Sequence, residues 1–277
     1  MKNSNKILSL AFILVLSACS TEKNTLLTRT YHNITAHYNI YFNGKESYLT
    51  GVEMAAENFD DNYSRILPFF YYTDKSVSES ISSHMQRTLK KGSKVISLHS
   101  ITAKPDLKRG IQTEKQKEFY NKKEYNKWMD ENYMLIGKAY VFQQQYEVAI
   151  ETFRKIITDF PNEPVRYSAM IWMARSYNEL GEYREAFKIL NRLEDEKELP
   201  DDYFQEYWIT YADHYVKQDE YEKAIPLLRK GLDNTKGKDR KIRYTYILAQ
   251  LYQETGKNEE AMKTYKKVVR MNPPYEM

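Results

Sequence analysis

The amino-acid sequence predicts an all-α fold, a helical solenoid preceded by an irregular helical N-terminal region, and three observations point there. First, "IGKAYVFQQQYEVAIETF" (136–153), "MARSYNELGEYREAFKIL" (173–190), "YADHYVKQDEYEKAIPLL" (211–228) and "LAQLYQETGKNEEAMKTY" (248–265) align without a gap. Each has a small second residue (Gly137, Ala174, Ala212, Ala249), a tyrosine three positions later (Tyr140, Tyr177, Tyr215, Tyr252) and an alanine twelve after the small residue (Ala149, Ala186, Ala224, Ala261). Second, those alanines recur at intervals of 37, 38 and 37 residues, a period suited to stacked helix-turn-helix units. Third, apolar residues within a unit fall at i, i+3, i+4 and i+7, as Tyr133, Ile136, Gly137 and Tyr140 do, which places them on one helical face.

Taken in chain order, the first element is an export leader. Lys2 and Lys6 precede a mostly apolar run from Ile7 to Leu16, about half the length a membrane-spanning helix needs. With the small residues Ser17 and Ala18 this describes a leader over residues 1–18. Leu16-Ser17-Ala18-Cys19 resembles the lipobox cut by lipoprotein signal peptidase, which makes Cys19 the first mature residue, acylated on its sulfur and its amino group. The competing reading is an ordinary leader followed by an incidental cysteine. Cys19 is the only cysteine, so no disulfide forms within the chain. Its acyl chains would hold the protein at a membrane, because affinity grows by about 0.8 kcal/mol per buried methylene.

Residues 19–30 then read as a lipidated polar tether, and residues 31–128 as an irregular helical region. Within that region a helix is expected from Lys45 to Phe59, stopped by Pro68 in "ILPFFYY" (66–72). A second is expected from Val77 to Leu98, with Ile81, Met85, Leu89, Val95 and Ile96 on its apolar side. The crowded aromatics are expected as core that caps the first repeat. A connector from Ile101 to Lys127 carries eight basic residues against four acidic ones, a solvated stretch or a contact for anionic headgroups or an acidic partner. Residues 129–277 hold the four repeats, closed by Pro161, Pro200 and Pro273.

The balance of 42 Lys and Arg against 38 Asp and Glu gives a net charge of +4, which is no nucleic-acid signature. Catalytic patterns are missing as well. The five histidines (His32, His37, His84, His99, His214) contain no pair at i, i+4, so no zinc site is expected. "GLDNTKGKD" (231–239) has five residues between its glycines and Asp239 where a phosphate loop needs Ser or Thr. With no Gly-x-Ser-x-Gly elbow and the one cysteine assigned to the anchor, no nucleophile stands out. The expectation is a protein that is not an enzyme and has no cofactor, metal or catalytic residue.

An array of this kind buries each hairpin only against its neighbours and curves, leaving an extended inner face formed by the first helices. The register assigns to that face Met134, Lys138 and Val141 in the first repeat, and Ile171, Arg175 and Asn178 in the second. Ile209, Asp213 and Val216 follow in the third, and Tyr246, Gln250 and Gln253 in the fourth. These are the candidate partner-binding residues. They do not form a Lys/Asn clamp for a C-terminal carboxylate.

The repeats resemble tetratricopeptide repeats, with units somewhat longer than the usual 34 residues. "YHNITAHYNIYFNG" (31–44) after the lipobox, "ILPFF" (66–70), "KVISLHSITAKP" (94–105) and "WMDENYMLIGKAYVFQQQYEVAIETF" (128–153) together resemble the amino-terminal region of the SprE/PorW family. Those are tetratricopeptide lipoproteins of the type IX secretion and gliding motility machinery. The resemblance implies a lipid-anchored protein of the outer membrane that faces the periplasm. It also implies a scaffold whose partners are periplasmic ring and motor components and the outer-membrane translocon. It further implies a longer chain, so that a chain stopping at "MNPPYEM" (271–277) is expected to be a fragment or a shortened member. Two other readings stay open: an outer-membrane barrel-assembly lipoprotein, which "FRKIITDFPNEPVRYSAMIWMARSY" (153–177) also resembles, and a glycan-binding nutrient-uptake lipoprotein.

Overall fold

A computed structural model describes residues 21–106, 113–195 and 199–273. The leader and Cys19 lie outside the described residues. Among those residues the structure is helical, without strands.

The chain is helical from Leu26, inside the stretch expected as a tether. Thr25 and Thr28 cause this by capping each other reciprocally, each hydroxyl accepting from the other's main-chain N–H at 3.2 and 2.9 Å. Helix α1 (Leu26–Thr35) passes through one π-helical stretch (Ala36–Tyr41) into α2 (Phe42–Glu57) without a break. After an extended excursion, Asp74 caps α3 (Lys75–Ser80) by accepting from Val77 N–H at 3.1 Å, and α4 (Ser82–His99) follows. The second helix expected here is therefore two, separated at Ile81. The basic connector contains one short helix, α5 (Glu114–Asn121), capped by Thr113 and Gln116. Residues 107–112 of the connector lie outside the described residues.

Four hairpins follow: α6 (Met129–Phe142) with α7 (Tyr146–Asp159), α8 (Val165–Glu179) with α9 (Tyr183–Asp195), α10 (Phe204–Val216) with α11 (Tyr221–Asp233), and α12 (Lys238–Glu254) with α13 (Asn258–Arg270). All eight small register positions are buried. A methyl group on Gly137 would lie 2.4 Å from the Phe153 ring, so the crossing of α6 and α7 has room for a hydrogen atom and nothing more. The same device recurs before the array. α2 and α4 pair as a hairpin, α4 packs on α6, and a methyl on Gly92 would lie 2.5 Å from Ile136.

The turns are as regular as the crossings. Gln144, Gly181, Asp219 and Gly256 occupy one register position and all adopt positive φ, between 57° and 74°. The residue after each donates to the carbonyl of the repeat's tyrosine: Gln145 to Tyr140, Glu182 to Tyr177, Glu220 to Tyr215, each at 2.9 Å, and Lys257 to Tyr252 at 2.8 Å. This is the Schellman arrangement that satisfies helix-end carbonyls. The main chain of each tyrosine thus helps to end its helix, while its ring is half-buried against the core.

Gly137→Ala tests the crossing. Alanine favours a helix by about 1 kcal/mol over glycine, yet overpacking Phe153 costs about 1–3 kcal/mol, so the variant should unfold at lower urea concentration. Ala186→Leu should be worse for the same reason, and an unchanged midpoint for both would contradict this packing.

Candidate functional site

The first helices α6, α8, α10 and α12 line the inner face of the array and carry the candidate positions at i, i+4 and i+7. That face is not open. Residues 58–74, the excursion between α2 and α3, run across it in extended and turn conformations. Leu67, Phe69, Phe70 and Tyr72 are buried there, Leu67 and Tyr72 to 1% exposure.

The fourth repeat holds the segment by its main chain. Gln250 donates from Nε2 to the Arg65 carbonyl at 2.6 Å and accepts at Oε1 from Leu67 N–H at 3.0 Å, a two-point contact of the sort a neighbouring strand makes. Arg243, one helical face with Gln250, donates to the Pro68 carbonyl from Nε and Nη2 at 3.0 and 2.9 Å. It also forms a two-pronged ion pair with Asp61 at 2.7 and 2.8 Å. Tyr63 meets Tyr246 edge to face, and Phe69 packs on Tyr244. Toward the first repeats the rings take over. Tyr72 contacts Phe142 and Trp172, and the Gln144 amide, on the left-handed turn residue, donates to the Tyr72 carbonyl at 2.9 Å.

A chain of charges lies beneath. The Arg175 guanidinium sits 4.3 Å from the Phe70 ring and 4.6 Å from the Trp172 ring, and donates to Thr210 Oγ1 at 2.7 Å. Burial pushes the Glu206 carboxyl upward, but Lys138 and Arg175, with hydrogen bonds from Trp172 and Ser168, bring it below its ordinary value. Burial raises Asp213 and Glu179, and Lys217, paired with Glu179 at 3.0 Å, opposes the rise. His214 Nδ1 donates to Asn178 Oδ1 at 2.8 Å while its Nε2 accepts from the Gln218 amide at 3.0 Å, which sets the neutral tautomer; burial lowers its pKa to about 4. These groups neutralise one another and support rings.

Of the twelve inner-face positions, Met134, Val141, Ile171, Arg175, Asn178, Ile209, Asp213 and Gln250 are buried, Lys138, Val216 and Tyr246 are half-buried, and Gln253 is exposed. Arg175, Tyr246 and Gln250 touch the segment directly. Ile209 turns toward its own hairpin partner, against Gly231 of α11, and Gln253 accepts from the Tyr265 hydroxyl of α13. Arg243, Glu206, Trp172 and Gln144 were absent from the sequence expectation. Arg243 shares a face with Tyr246 and Gln250 and is reachable by register. Its partner Asp61 lies 182 positions away and carries no local signal.

At the opposite end, the buried His32 and His99 share a hydrogen bond between their Nδ1 atoms at 2.9 Å, and the Asn126 amide donates to the His99 carbonyl at 2.8 Å. Burial, with His32 and Lys94 nearby, lowers the His99 pKa to about 4.

Family models described as Tetratricopeptide repeat match residues 134–202 and 242–275. The chain carries tetratricopeptide repeats. The third hairpin of this tetratricopeptide protein, α10 with α11, falls between the two matched spans. No curated protein sequence matches. Similar solved structures include MamA from Desulfovibrio magneticus RS-1 (15% identity over 71% of this chain and 92% of that one, TM-score 0.46). A putative kinesin light chain with TPR-like repeats from Podosopora anserina matches at 15% identity over 71% and 92% (TM-score 0.47). NprR in complex with its cognate peptide NprX matches at 16% identity over 88% and 67% (TM-score 0.47). Neither matching family model describes an enzyme.

Two outcomes follow. Gln250→Leu strands the Arg65 carbonyl and the Leu67 amide, at about 1–3 kcal/mol, which urea unfolding should record, with Arg65 to Tyr72 becoming more sensitive to protease. For His99 the folded pKa lies below the unfolded one. Its contribution is complete above about pH 6.5 and is lost as pH falls toward 4. A His99→Gln variant should therefore lose less stability than the parent between pH 7 and pH 4.5.

Proposed function

We propose that this protein is a membrane-tethered scaffold that holds protein partners of the type IX secretion and gliding machinery. In this reading Cys19 is acylated, the chain sits at the periplasmic face of the outer membrane, and the repeats form a stiff platform. One observation carries the scaffold reading: the inner face already grips an extended protein segment, through the Gln250 and Arg243 contacts to main-chain carbonyls of residues 65–68. Recognition of main chain plus a few buried rings is the chemistry that peptide and protein partners require. The motifs at 31–44, 66–70 and 94–105 that resemble SprE/PorW support the assignment to that machinery.

The filled groove bears on how a partner engages. Burying four large side chains of the segment is worth about 1.5–3 kcal/mol each, an upper bound since the unfolded chain is itself partly compact. A partner therefore meets the rim that the segment leaves accessible, at Lys138, Val216, Tyr246 and Gln253, rather than displacing residues 61–72.

Affinity purification of the tagged lipoprotein from its native envelope tests the assignment. Ring, motor and translocon subunits of the secretion system are the expected companions. Recovery of barrel-insertion subunits or of a glycan transporter instead would overturn it. Cys19→Ala should release a folded protein from the membrane fraction, and retention there would refute the anchor.

A further inference from the structure

We infer that the outward face of the α1–α2 helix lies on the bilayer surface, so that the protein is seated on lipid and not merely leashed to it. This rests on the anchored reading above. Leu27, Tyr31, Ile34, Tyr38, Phe42 and Leu49 follow one another at spacings of 4, 3, 4, 4 and 7 along one continuous helix and are 65, 38, 55, 67, 52 and 48% exposed. Those spacings keep them on one side of the rod. Elsewhere among the described residues large exposed apolar side chains number no more than two to a helix, as with Met262 and Val269 on α13. The stripe is thus the longest run of exposed apolar side chains on one side of a helix among the described residues.

Three features select lipid as its occupant. The first is reach: only six peptide steps separate Cys19 from the capping residue Thr25, at most about 20 Å of chain, so acyl groups on Cys19 would hold the start of this helix within one tether length of the headgroups. The second is charge. From Lys23 through Leu49, where the stripe ends, the chain contains Lys23, Arg29 and Lys45 against Glu46 alone, a positive balance that suits an anionic surface. The third is chemistry: leucine, isoleucine and phenylalanine mixed with two tyrosines match the boundary between acyl chains and headgroups, where an amphipathic helix buries its apolar side by about 5–10 Å. No described helix is long and apolar enough to cross a membrane, so the helix would lie along the surface.

The test uses the acylated full chain. With Cys19 blocked by acylation, Tyr38→Cys introduces the only free thiol, and Lys266→Cys on exposed α13 provides a reference in a second protein. Each is labelled with an environment-sensitive fluorophore and reconstituted into phosphatidylethanolamine and phosphatidylglycerol vesicles containing spin-labelled lipid. The label at 38 should shift to the blue and be quenched several-fold more than the label at 266. Equal, water-like signals from protein that still floats with the vesicles overturn the seated helix while leaving the anchor standing, and hand this face to a protein partner. Protein that does not float overturns both.

Discussion

Paired helices in this chain touch at positions where the side chain is a methyl group or a hydrogen atom, and the rest of the architecture depends on that closeness. At Gly137 the ring of Phe153 stands where a β-carbon would be, and Gly231 meets Ile209 in the same way, its β-carbon position 2.6 Å from that side chain. Ala149, Ala186 and Ala224 have no exposed surface at all. Because the hairpins close so tightly, large residues also meet those of neighbouring units: one core cluster reaches from α2 to α12, and a second joins α8, α9 and α10. The α2–α4 pair uses the same close approach, which is why it stacks on the first repeat as though it were one more unit.

The inner face shows what this geometry does with polar groups. Arg175, Glu179, Glu206, Asp213 and Lys217 would be costly beneath a hydrophobic plug if they were isolated. They are interleaved by sign, with the Ser168 hydroxyl bonded to Glu206 and the Thr210 hydroxyl to Arg175, while Glu179 Oε1 and Asp213 Oδ2 are buried without a hydrogen-bond partner. The plug in turn presents rings to the guanidinium groups: Phe70 to Arg175, and Tyr71 and Phe59 to Arg243 at 4.5 and 5.5 Å. Cations flattened against aromatic faces let charge and apolar burial share one space. That sharing gives the array a filled interior and leaves the outer surface and rim for contact with other molecules.

Much of the fold was legible in the residues. The four-fold register of small residue, tyrosine and alanine located the four hairpins of the array, and the turn positions followed from it. Helix starts set by local chemistry were less so: the Thr25 and Thr28 pair, which begins α1 within the supposed tether, looks like ordinary polar sequence until one sees that each hydroxyl is placed for the other's amide. The inner face was the least legible. Register finds Arg175, Tyr246 and Gln250 because they repeat at helical spacing, but it cannot show that "ILPFFYY" lies on them, since that pairing joins residues 183 positions apart, as in Leu67 with Gln250. The run did contain a hint, for a loop with so many large apolar side chains has no reason to remain in water. The lipidation proposed at Cys19 would depend on an enzyme's reading of four residues, and no packing argument reaches it.

The segment that fills the groove changes the physics of a repeat protein. In an open solenoid each unit interacts only with the next, so end units fray on their own and stability adds up along a line. Here a loop from the first hairpin is fastened to Arg243 and Gln250 of the last unit, which converts the line into a closed circuit. The final repeat cannot melt without freeing Asp61 and Pro68, and those cannot leave without exposing the centre. Such a molecule should open as a whole rather than peel from its C-terminal end. It should also be slow to form, because the contact that locks it must wait for the far end of the chain to arrive.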